Sequence, residues 1–300
     1  MEAERRDTGV PRRDVIGINH FGKRPLEEVL RALPRHGYGA VDFSAAAGRL
    51  AGDPEALARA RRLTRDLGLV PAATHFRSFG FAFLRPGERR TAFLRDSVAD
   101  VRAAAFLGAR AIAFHLGNDL AAQPGVTDED LAAANAEALR PAVRVAEQEG
   151  VGVALENHCH GFGDRWQHLE AVVAHLASPA VGFTLDSGHA AVTGQDPAAL
   201  ARRMGDRLLL THLHDNHGTA DTHRPAGRAG PNGVYEGAAV VGWPALIAAL
   251  RAVGYPARNA WMLEGGTQLP GDDVDRLLAA HIACFSSMLR ATSTATNEGA

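Results

Sequence analysis

Short apolar segments rich in Val, Ile, Leu and Phe alternate along the chain with longer segments in which Ala, Leu and Arg recur at helical spacing. Each short segment predicts a buried strand, and each longer segment predicts a helix that packs against the strands. Eight strands are predicted, at residues 15–19, 40–43, 69–75, 111–115, 151–156, 181–186, 208–212 and 260–264. Eight helices are predicted, near residues 25–35, 54–67, 88–107, 127–149, 165–176, 196–204, 243–253 and 272–290.

Polar residues and glycines mark the boundaries of several predicted helices. Asp53 and Asp196 each precede a proline, and Thr127 precedes an acidic residue, which are patterns typical of helix starts. Gly68 and Gly108 stand between a helical segment and the next strand, where glycine commonly ends a helix. These signals support the predicted order of strands and helices.

Eight strand–helix units in a chain of 300 residues fit a single (β/α)8 barrel, the TIM barrel. A doubly wound open sheet has the same alternation and is the alternative fold. The chain has no glycine-rich phosphate-binding motif after its first strand and no composition break that would mark a second domain. We therefore predict a catalytic α/β barrel domain at residues 14–290, between a flexible segment at 1–13 and a disordered tail at 291–300.

Composition excludes several classes of protein. The formal net charge is −2, so the chain has no strongly basic field and a nucleic-acid partner is not expected. Lys23 is the one lysine, which excludes Schiff-base chemistry at any other position. Cys159 and Cys284 are too few for a disulfide framework and suit a reducing compartment. Because no segment is typical of a membrane span or a secretory signal, we expect a cytoplasmic protein without a membrane partner.

Ionisable residues end the last four predicted strands: Glu156, Asp186, His212 and Glu264. The carboxyl ends of parallel strands converge on one face of a barrel, so we expect these side chains to meet. Three carboxylates crowded together repel one another unless a cation holds them. Three oxygens and one nitrogen suit Mn²⁺, Co²⁺, Mg²⁺ or Zn²⁺, which predicts a catalytic metal site. In the alternative interpretation, each acidic residue only caps a helix or is solvated in a loop.

Six further ionisable residues fall at the same rim. Two follow a strand end by two or three residues, two end strands of their own, and two lie in the loop after the seventh strand. They are, in that order, His158 and His189, His75 and His115, and Asp221 and His223. Histidines on predicted helices, such as His168 and His281, are instead expected to serve packing or the surface. No role is assigned to His20, His160, His214 and His217.

Two loops could border the predicted site. The segment HFRSFGFAF at residues 75–83 predicts either an apolar wall in which Arg77 binds an anion, or a loop folded over the barrel rim. The glycine- and proline-rich stretch at residues 216–241 is predicted as an irregular active-site loop, because it follows the seventh strand.

The chain resembles the xylose-isomerase-like TIM-barrel superfamily over residues 14–290. The resemblance lies in the motifs ALENH (154–158), TLDSGH (184–189), THLHDN (211–216) and the glutamate of WMLEGG (261–266). This superfamily includes sugar-phosphate isomerases and epimerases, ketose 3-epimerases, inosose and 3-dehydroshikimate dehydratases, and endonuclease-IV-type nucleases. The resemblance therefore implies the fold more specifically than it implies any one reaction.

The resemblance implies a divalent-metal-dependent isomerase or epimerase that acts on a sugar or a related polyhydroxy carbonyl compound. The implied ligands of one Mn, Co, Mg or Zn ion are Glu156, Asp186, His212 and Glu264. The ion would stabilise an enediolate, while Glu156 and Glu264 move the proton next to the carbonyl. His189 would hold a substrate oxygen or help to move the proton. The expected partners are a small polyhydroxy substrate and a second copy of the chain in a homodimer.

Two other activities of the superfamily stay open. In its dehydratases, a histidine that matches His158 is the general base. In its endonuclease-IV-type members, three zinc ions are held by nine residues, and every matching position is filled here: His75, His115, Glu156, Asp186, His189, His212, Asp221, His223 and Glu264. The near-neutral charge and the departure of residues 224–237 from the nuclease pattern disfavour this third activity.

Overall fold

Eight parallel strands form the centre of the computed structural model, which describes residues 14–19, 24–78, 80–216, 218–227, 240–265 and 273–294. The strands are β1 (Ile16–Asn19), β2 (Ala40–Asp42), β3 (Val70–His75), β4 (Ala111–Phe114), β5 (Gly152–Glu156), β6 (Val181–Asp186), β7 (Leu208–His212) and β8 (Trp261–Leu263). Each strand from β1 to β7 pairs with the next along the chain, and β1 also pairs with β8.

The last gap in the sheet, between β7 and β8, is bridged just beyond the end of β7. The backbone N–H of Leu213 donates to the carbonyl of Met262 at 2.9 Å, and the N–H of Glu264 donates to the carbonyl of Leu213 at 3.1 Å. The sheet is therefore a nearly closed barrel. This confirms the predicted TIM barrel and shows that the alternative, an open doubly wound sheet, is wrong.

Helices connect successive strands and surround the barrel. Within the described residues they are α1 (Leu26–Arg35), α2 (Ala46–Leu50), α3 (Pro54–Asp66), α4 (Glu88–Leu107), α5 (Asp128–Glu149), α6 (Trp166–Leu176), α7 (Ser187–Val192), α8 (Pro197–Met204), α9 (Trp243–Ala252), α10 (Tyr255–Arg258) and α11 (Val274–Thr294). The short helices α2, α7 and α10 were not predicted, because each is too short to show a helical period in the sequence.

The two predicted terminal segments fall mostly outside the described part of the chain. Helix α11 continues to Thr294, past the domain boundary predicted at residue 290. Residues 1–13 and 295–300, where a flexible segment and a disordered tail are predicted, lie outside the described residues. Among the helices that are described, none combines the length and the apolar character needed to cross a membrane.

The predicted helix boundaries are capped as the sequence indicates. The side chain of Asp53 accepts a backbone N–H at the start of α3, and Asp196 does the same at α8. Thr127 and Asp130 form a reciprocal capping box at the start of α5. Gly108 ends α4 in the left-handed conformation, with φ of 83°. Each N-cap stabilises the helix start by about 1 kcal/mol, because it satisfies a backbone donor that has no partner within the helix.

Small residues fill the inside of the barrel, whereas large ones fill the layer between strands and helices. In β4, Ala111 and Ala113 belong to the inner cluster, while Ile112 and Phe114 belong to the outer one, as the alternation along a strand requires. Leu210 and Met262 are the two large members of the inner cluster, and the other buried members are alanines. This packed interior supports the strands from below, so their carboxyl ends are held at fixed positions around the mouth.

Gly182 in β6 is expected to be essential for this packing. A Cβ atom at this position would overlap the carbonyl oxygen of Arg207 and lie 2.7 Å from Cγ of Leu209. We predict that Gly182→Ala lowers the free energy of unfolding by about 1–3 kcal/mol, because backbone must move to relieve the overlap. The matched control is Gly52→Ala, whose Cβ would have no atom within 4 Å.

Urea unfolding followed by circular dichroism measures both variants. The control should stay within about 0.5 kcal/mol of the unmodified chain. Equal stabilities for the two variants would contradict the packing described for β6.

Candidate metal centre

The four residues that end the last strands meet at the mouth of the barrel. Each of Glu156, Asp186, His212 and Glu264 offers a ligand atom within 4.8 Å of the ligand atoms of the other three. Nδ1 of His212 lies 3.1 Å from Oε1 of Glu156 and 3.4 Å from Oε2 of Glu264. The first three residues are buried, and the side chain of Glu264 is 16% exposed. The predicted convergence of these side chains is therefore present.

A second group forms around the other oxygen of Glu156. Oε2 of Glu156 lies 3.3 Å from Nε2 of His75 and 3.3 Å from Nε2 of His115. Nδ1 of His75 is 2.9 Å from the carbonyl oxygen of Phe76, which leaves Nε2 to face the carboxylate. Burial opposes ionisation of Glu156, but His212 and His115 hold its pKa well below the ordinary value. Glu156 is therefore an ionised carboxylate shared by two groups of histidines.

A third group contains His189, Asp221 and His223. Oδ2 of Asp221 lies 3.2 Å from Nε2 of His189 and 3.1 Å from Nε2 of His223. Burial opposes ionisation of Asp221, but hydrogen bonds from His189 and His223 lower its pKa. Burial also opposes protonation of His223, but Glu264 and Asp221 raise its pKa to about 9. The charges in this group are thus tightly coupled to those around Glu264.

His158 borders the same mouth. Its ring centroid lies 4.2 Å from that of His189, 4.4 Å from that of His115 and 4.9 Å from that of Phe81. Burial, together with the charges of His189 and His115, lowers the pKa of His158 to about 3. The ring is therefore neutral at pH 7 in the ion-free chain, and it lies beside the carboxylate groups as the sequence predicts.

Three residues of the site carry no assigned role in the sequence prediction. Nε2 of His214 lies 3.0 Å from each carboxylate oxygen of Asp186. Oδ2 of Asp42 lies 3.5 Å from Nε2 of His212, and Nδ2 of Asn19 lies 3.5 Å from Oε1 of Glu264. Asn19 and Asp42 are the last residues of β1 and β2. The rule that identified Glu156 would have found Asn19, had it been applied to polar residues at the ends of all eight predicted strands. It would not have found Asp42, because the second strand was predicted to end at Phe43.

The loop after β3 is held against the protein by Arg77, which does not face the site as an anion-binding group. The Nε of Arg77 donates to Asp100 at 2.7 Å, and its backbone N–H donates to the same carboxylate at 2.9 Å. Asp100 is 1% exposed and the Arg77 side chain is 26% exposed, so this pair is a half-buried clamp. Phe81 stacks on His115 with ring centroids 5.4 Å apart, whereas Phe83 stacks on Phe93 in the core. The loop therefore folds over the rim and contributes Phe81 to the site wall.

The chemistry of the donor set fits a divalent cation. At His75, His189 and His214, one ring nitrogen faces a backbone carbonyl oxygen and the other faces carboxylates. A neutral imidazole that donates one N–H to the carbonyl can bind a cation with its other nitrogen. The carbonyl bond then fixes the orientation of the ring, as is usual for histidine ligands.

Two carboxylate oxygens support this fit. Oε2 of Glu156 and Oε2 of Glu264 are buried and have no hydrogen-bond partner among the described residues. In the ion-free chain the imidazoles balance the charge instead: although burial opposes protonation, Glu156 and Glu264 raise the pKa of His212 well above its ordinary value. The residues present are therefore suited to hold one or more divalent cations, and Glu156, Asp186, His212 and Glu264 form the four-residue group.

Fold and site together define a (β/α)8 barrel protein in which residues that could hold a metal ion cluster at the carboxyl ends of its strands. Residues 30–278 match the sequence family described as "Xylose isomerase-like TIM barrel", so the chain belongs to that family. An uncharacterised protein of Sinorhizobium fredii is 32% identical over 77 residues, which are 25% of each protein. The chain thus matches about a quarter of the length of this curated relative.

Solved structures resemble the chain over almost its whole length. A D-tagatose 3-epimerase-like protein superimposes with a TM-score of 0.74 and 16% identity, over 94% of this chain and 99% of the other. The IOLI protein, whose crystal structure holds a zinc atom, superimposes with a TM-score of 0.69 and 14% identity, over 93% and 99%. At such identities the likeness shows a shared fold.

A histidine behind the site predicts part of the pH dependence of stability. His281 on α11 is 1% exposed, and burial together with the charges of His214 and His223 lowers its pKa from 6.5 to about 3. Between these values the unfolded chain binds a proton that the folded chain does not, so stability falls as the pH falls below 6.5. By pH 5 this loss amounts to about 2 kcal/mol.

We predict that His281→Gln removes this loss. Urea unfolding at pH 7 and pH 5 should show a drop in stability that is about 2 kcal/mol smaller in the variant than in the unmodified chain. His175→Gln, which removes a histidine that pairs with Glu129 at the surface, should keep the original drop. The interpretation fails if both variants lose stability as the unmodified chain does.

Proposed function

We propose that the protein is a divalent-metal-dependent isomerase or epimerase that acts on a sugar or a related polyhydroxy carbonyl compound. The observation that carries the proposal is the buried group of Glu156, Asp186, His212 and Glu264, whose ligand atoms lie within 4.8 Å of one another. The fold-level likeness to a D-tagatose 3-epimerase-like protein supports the same class of reaction.

A divalent cation held by this group would polarise a carbonyl oxygen of the substrate. Glu156 and Glu264 both approach Nδ1 of His212, so they flank a common position from two strands that are far apart in sequence. One carboxylate removes the proton next to the carbonyl, and the other returns it. The lowered pKa of Glu156 keeps this carboxylate ionised at neutral pH and able to accept the proton. His189 and His158 border the mouth and hold the substrate oxygens.

The dehydratase alternative gives the role of general base to His158. In the ion-free chain, burial and the neighbouring charges lower the pKa of His158 to about 3. Glu156 and Glu264 lie together in one group with His212, whereas His158 lies outside that group. This pair of carboxylates favours the isomerase over the dehydratase.

Phosphodiester hydrolysis with three zinc ions is the second candidate function, and one observation favours it. The residues that the resemblance assigns to three zinc ions form three adjoining groups: His75, His115 and Glu156; Glu156, Asp186, His212 and Glu264; and His189, Asp221 and His223. Glu156 belongs to two of these groups and could bridge two ions. The formal net charge of −2 gives no support for a nucleic-acid substrate.

The number of ions needed for activity separates the two candidates. We predict that chelator-treated protein is inactive and that Mn²⁺ restores isomerase activity in proportion up to about one ion per chain, since one oxygen-rich ligand group suffices. The measurement is a titration of activity against bound metal, determined by elemental analysis. Cleavage of abasic duplex DNA that returns only with three zinc ions, without isomerase activity, would establish the second candidate instead.

Proton transfer can be followed directly in D₂O. We predict that the protein exchanges the hydrogen next to the carbonyl of at least one compound in a panel of free ketopentoses, ketohexoses and their phosphates, observed as loss of its proton NMR signal. Glu264→Gln and Glu156→Gln should slow this exchange by about 10²–10⁴-fold, because each removes a proton-transferring group.

Glu137→Gln is the matched control, since Glu137 pairs with Arg90 and its side chain is 75% exposed. It should exchange as fast as the unmodified protein. Metal content is measured for every variant, so that loss of the ion is separated from loss of the proton-transferring group. Unchanged exchange in both metal-loaded glutamine variants would refute the assigned roles.

Three further expectations belong to the same proposal. A small polyhydroxy substrate is the principal partner, the chain associates as a homodimer, and the protein acts in the cytoplasm. Gel filtration with light scattering measures the second of these, and a single-chain mass would refute it.

A further inference from the structure

We propose that His214 is a metal ligand and that its Nε2 binds a second divalent cation together with His223 and Glu264. The inference rests on the proposed function in one respect, namely that the barrel mouth holds divalent cations. The ligand atoms of His214, His223 and Glu264 lie within 4.8 Å of one another. This group uses an imidazole to which the motif comparison gave no role.

The atoms around Nε2 of His214 have the arrangement that a cation requires. Nε2 lies 3.0 Å from each carboxylate oxygen of Asp186, and it lies 3.8 Å from Oδ1 of Asp221 and 4.0 Å from Oε2 of Glu264. The last two oxygens are the ones that a cation would join to the ring. Both oxygens are buried and have no hydrogen-bond partner among the described residues. Separations of this size are too long for hydrogen bonds, whereas two ligands of one ion at about 2.1 Å are typically about 3–4 Å apart. The ligand atoms of His214, His223 and Glu264 lie within 4.8 Å of one another and are therefore close enough to bind one ion.

The orientation of the His214 ring also favours a cation at Nε2. Nδ1 of His214 lies 3.3 Å from the carbonyl oxygen of Asp215, which can only accept a hydrogen bond. A ring that donates from Nδ1 to this carbonyl can offer Nε2 to a cation. An imidazole that donates one N–H to a carbonyl and offers the other nitrogen to an ion is the usual arrangement of a metal-bound histidine.

The surrounding chain holds His214 rigidly in this position. The hydroxyl of Ser187 accepts from the backbone N–H of His214 at 3.0 Å and donates to its carbonyl oxygen at 2.7 Å. The ring is fully buried, and Gly188 leaves room for it, since an added Cβ would lie 2.5 Å from Nδ1. Such positioning of a polar ring costs conformational freedom and suits a ligand whose geometry must be fixed.

The rings of His214 and His223 are close enough to share one ion, since their centroids lie 4.5 Å apart, edge to face. Two nitrogens and one carboxylate favour Zn²⁺ or Co²⁺, while the oxygen-rich group of Glu156 also accepts Mn²⁺ or Mg²⁺. Glu264 has two oxygens and can therefore serve both ions.

Anomalous diffraction from crystals of the unmodified protein, grown with Zn²⁺ and measured on both sides of the zinc edge, tests the proposal. We expect a peak about 2.0–2.1 Å from Nε2 of His214, close to His223 and Glu264. A peak within the group of Glu156, Asp186 and His212 but none beside His214 overturns this inference and leaves the proposed function intact. Zinc at neither position overturns both.

Titration with Co²⁺ in solution gives an independent measure. We expect His214→Gln to bind one Co²⁺ fewer per chain, or to bind the weaker ion at least 10-fold less tightly, with a changed visible spectrum. The matched control is His168→Gln, which removes a buried histidine that stacks on Phe162 away from the site. Binding by His214→Gln that equals binding by the control overturns the proposal. Should His214→Gln fail to fold by circular dichroism, the diffraction result decides.

Discussion

Repulsion among carboxylates that the fold forces together is the constraint on which the organisation of this protein depends. Glu156, Asp186, Asp221 and Glu264 come from separate segments and converge within a few ångströms at a largely buried mouth. Leaving such charges uncompensated in a medium of low dielectric costs several kcal/mol. The imidazoles interleaved among them compensate the charge in the ion-free chain, and divalent cations would compensate it more completely. The carboxylates and imidazoles come from different segments of the chain. The attraction that balances their charges therefore also holds distant segments of the barrel together.

The barrel provides the rigidity that this arrangement requires. Alanines and Met262 fill the interior below the mouth, and glycines such as Gly182 allow backbone segments to approach closely. The strand ends above this layer have little freedom to separate, so the carboxylates cannot relax apart. The half-buried clamp between Arg77 and Asp100 holds the loop after β3, which places Phe81 against His115. Packing and electrostatics therefore depend on each other. Packing holds the charged side chains together, and the balance of charge limits which side chains the mouth of the barrel can accommodate.

The sequence predicted much of the site, because a charged residue at the end of an apolar strand stands out against its neighbours. Glu156, Asp186, His212 and Glu264 were found in this way and lie together. Asp42 was missed because the second strand was predicted to continue through Phe43, which is apolar, whereas β2 ends at Asp42. His214 is two residues from His212, and spacing alone gave a role to only one of the two rings. The structure places both rings at the mouth, because side chains two residues apart on an extended chain point to the same side.

The order, type and approximate limits of the elements were determined by the sequence itself, because strand and helix periods, caps and glycines are local properties. Closure of the barrel was decided only by the tertiary structure. It depends on the bonds that Leu213 makes to Met262 and Glu264, about fifty residues further along the chain, and on the twist accumulated over all eight strands. The partners of each ionisable side chain were likewise decided only by the tertiary structure. Distances of 3–4 Å between groups on different strands follow from strand register and tilt, which local sequence patterns do not determine.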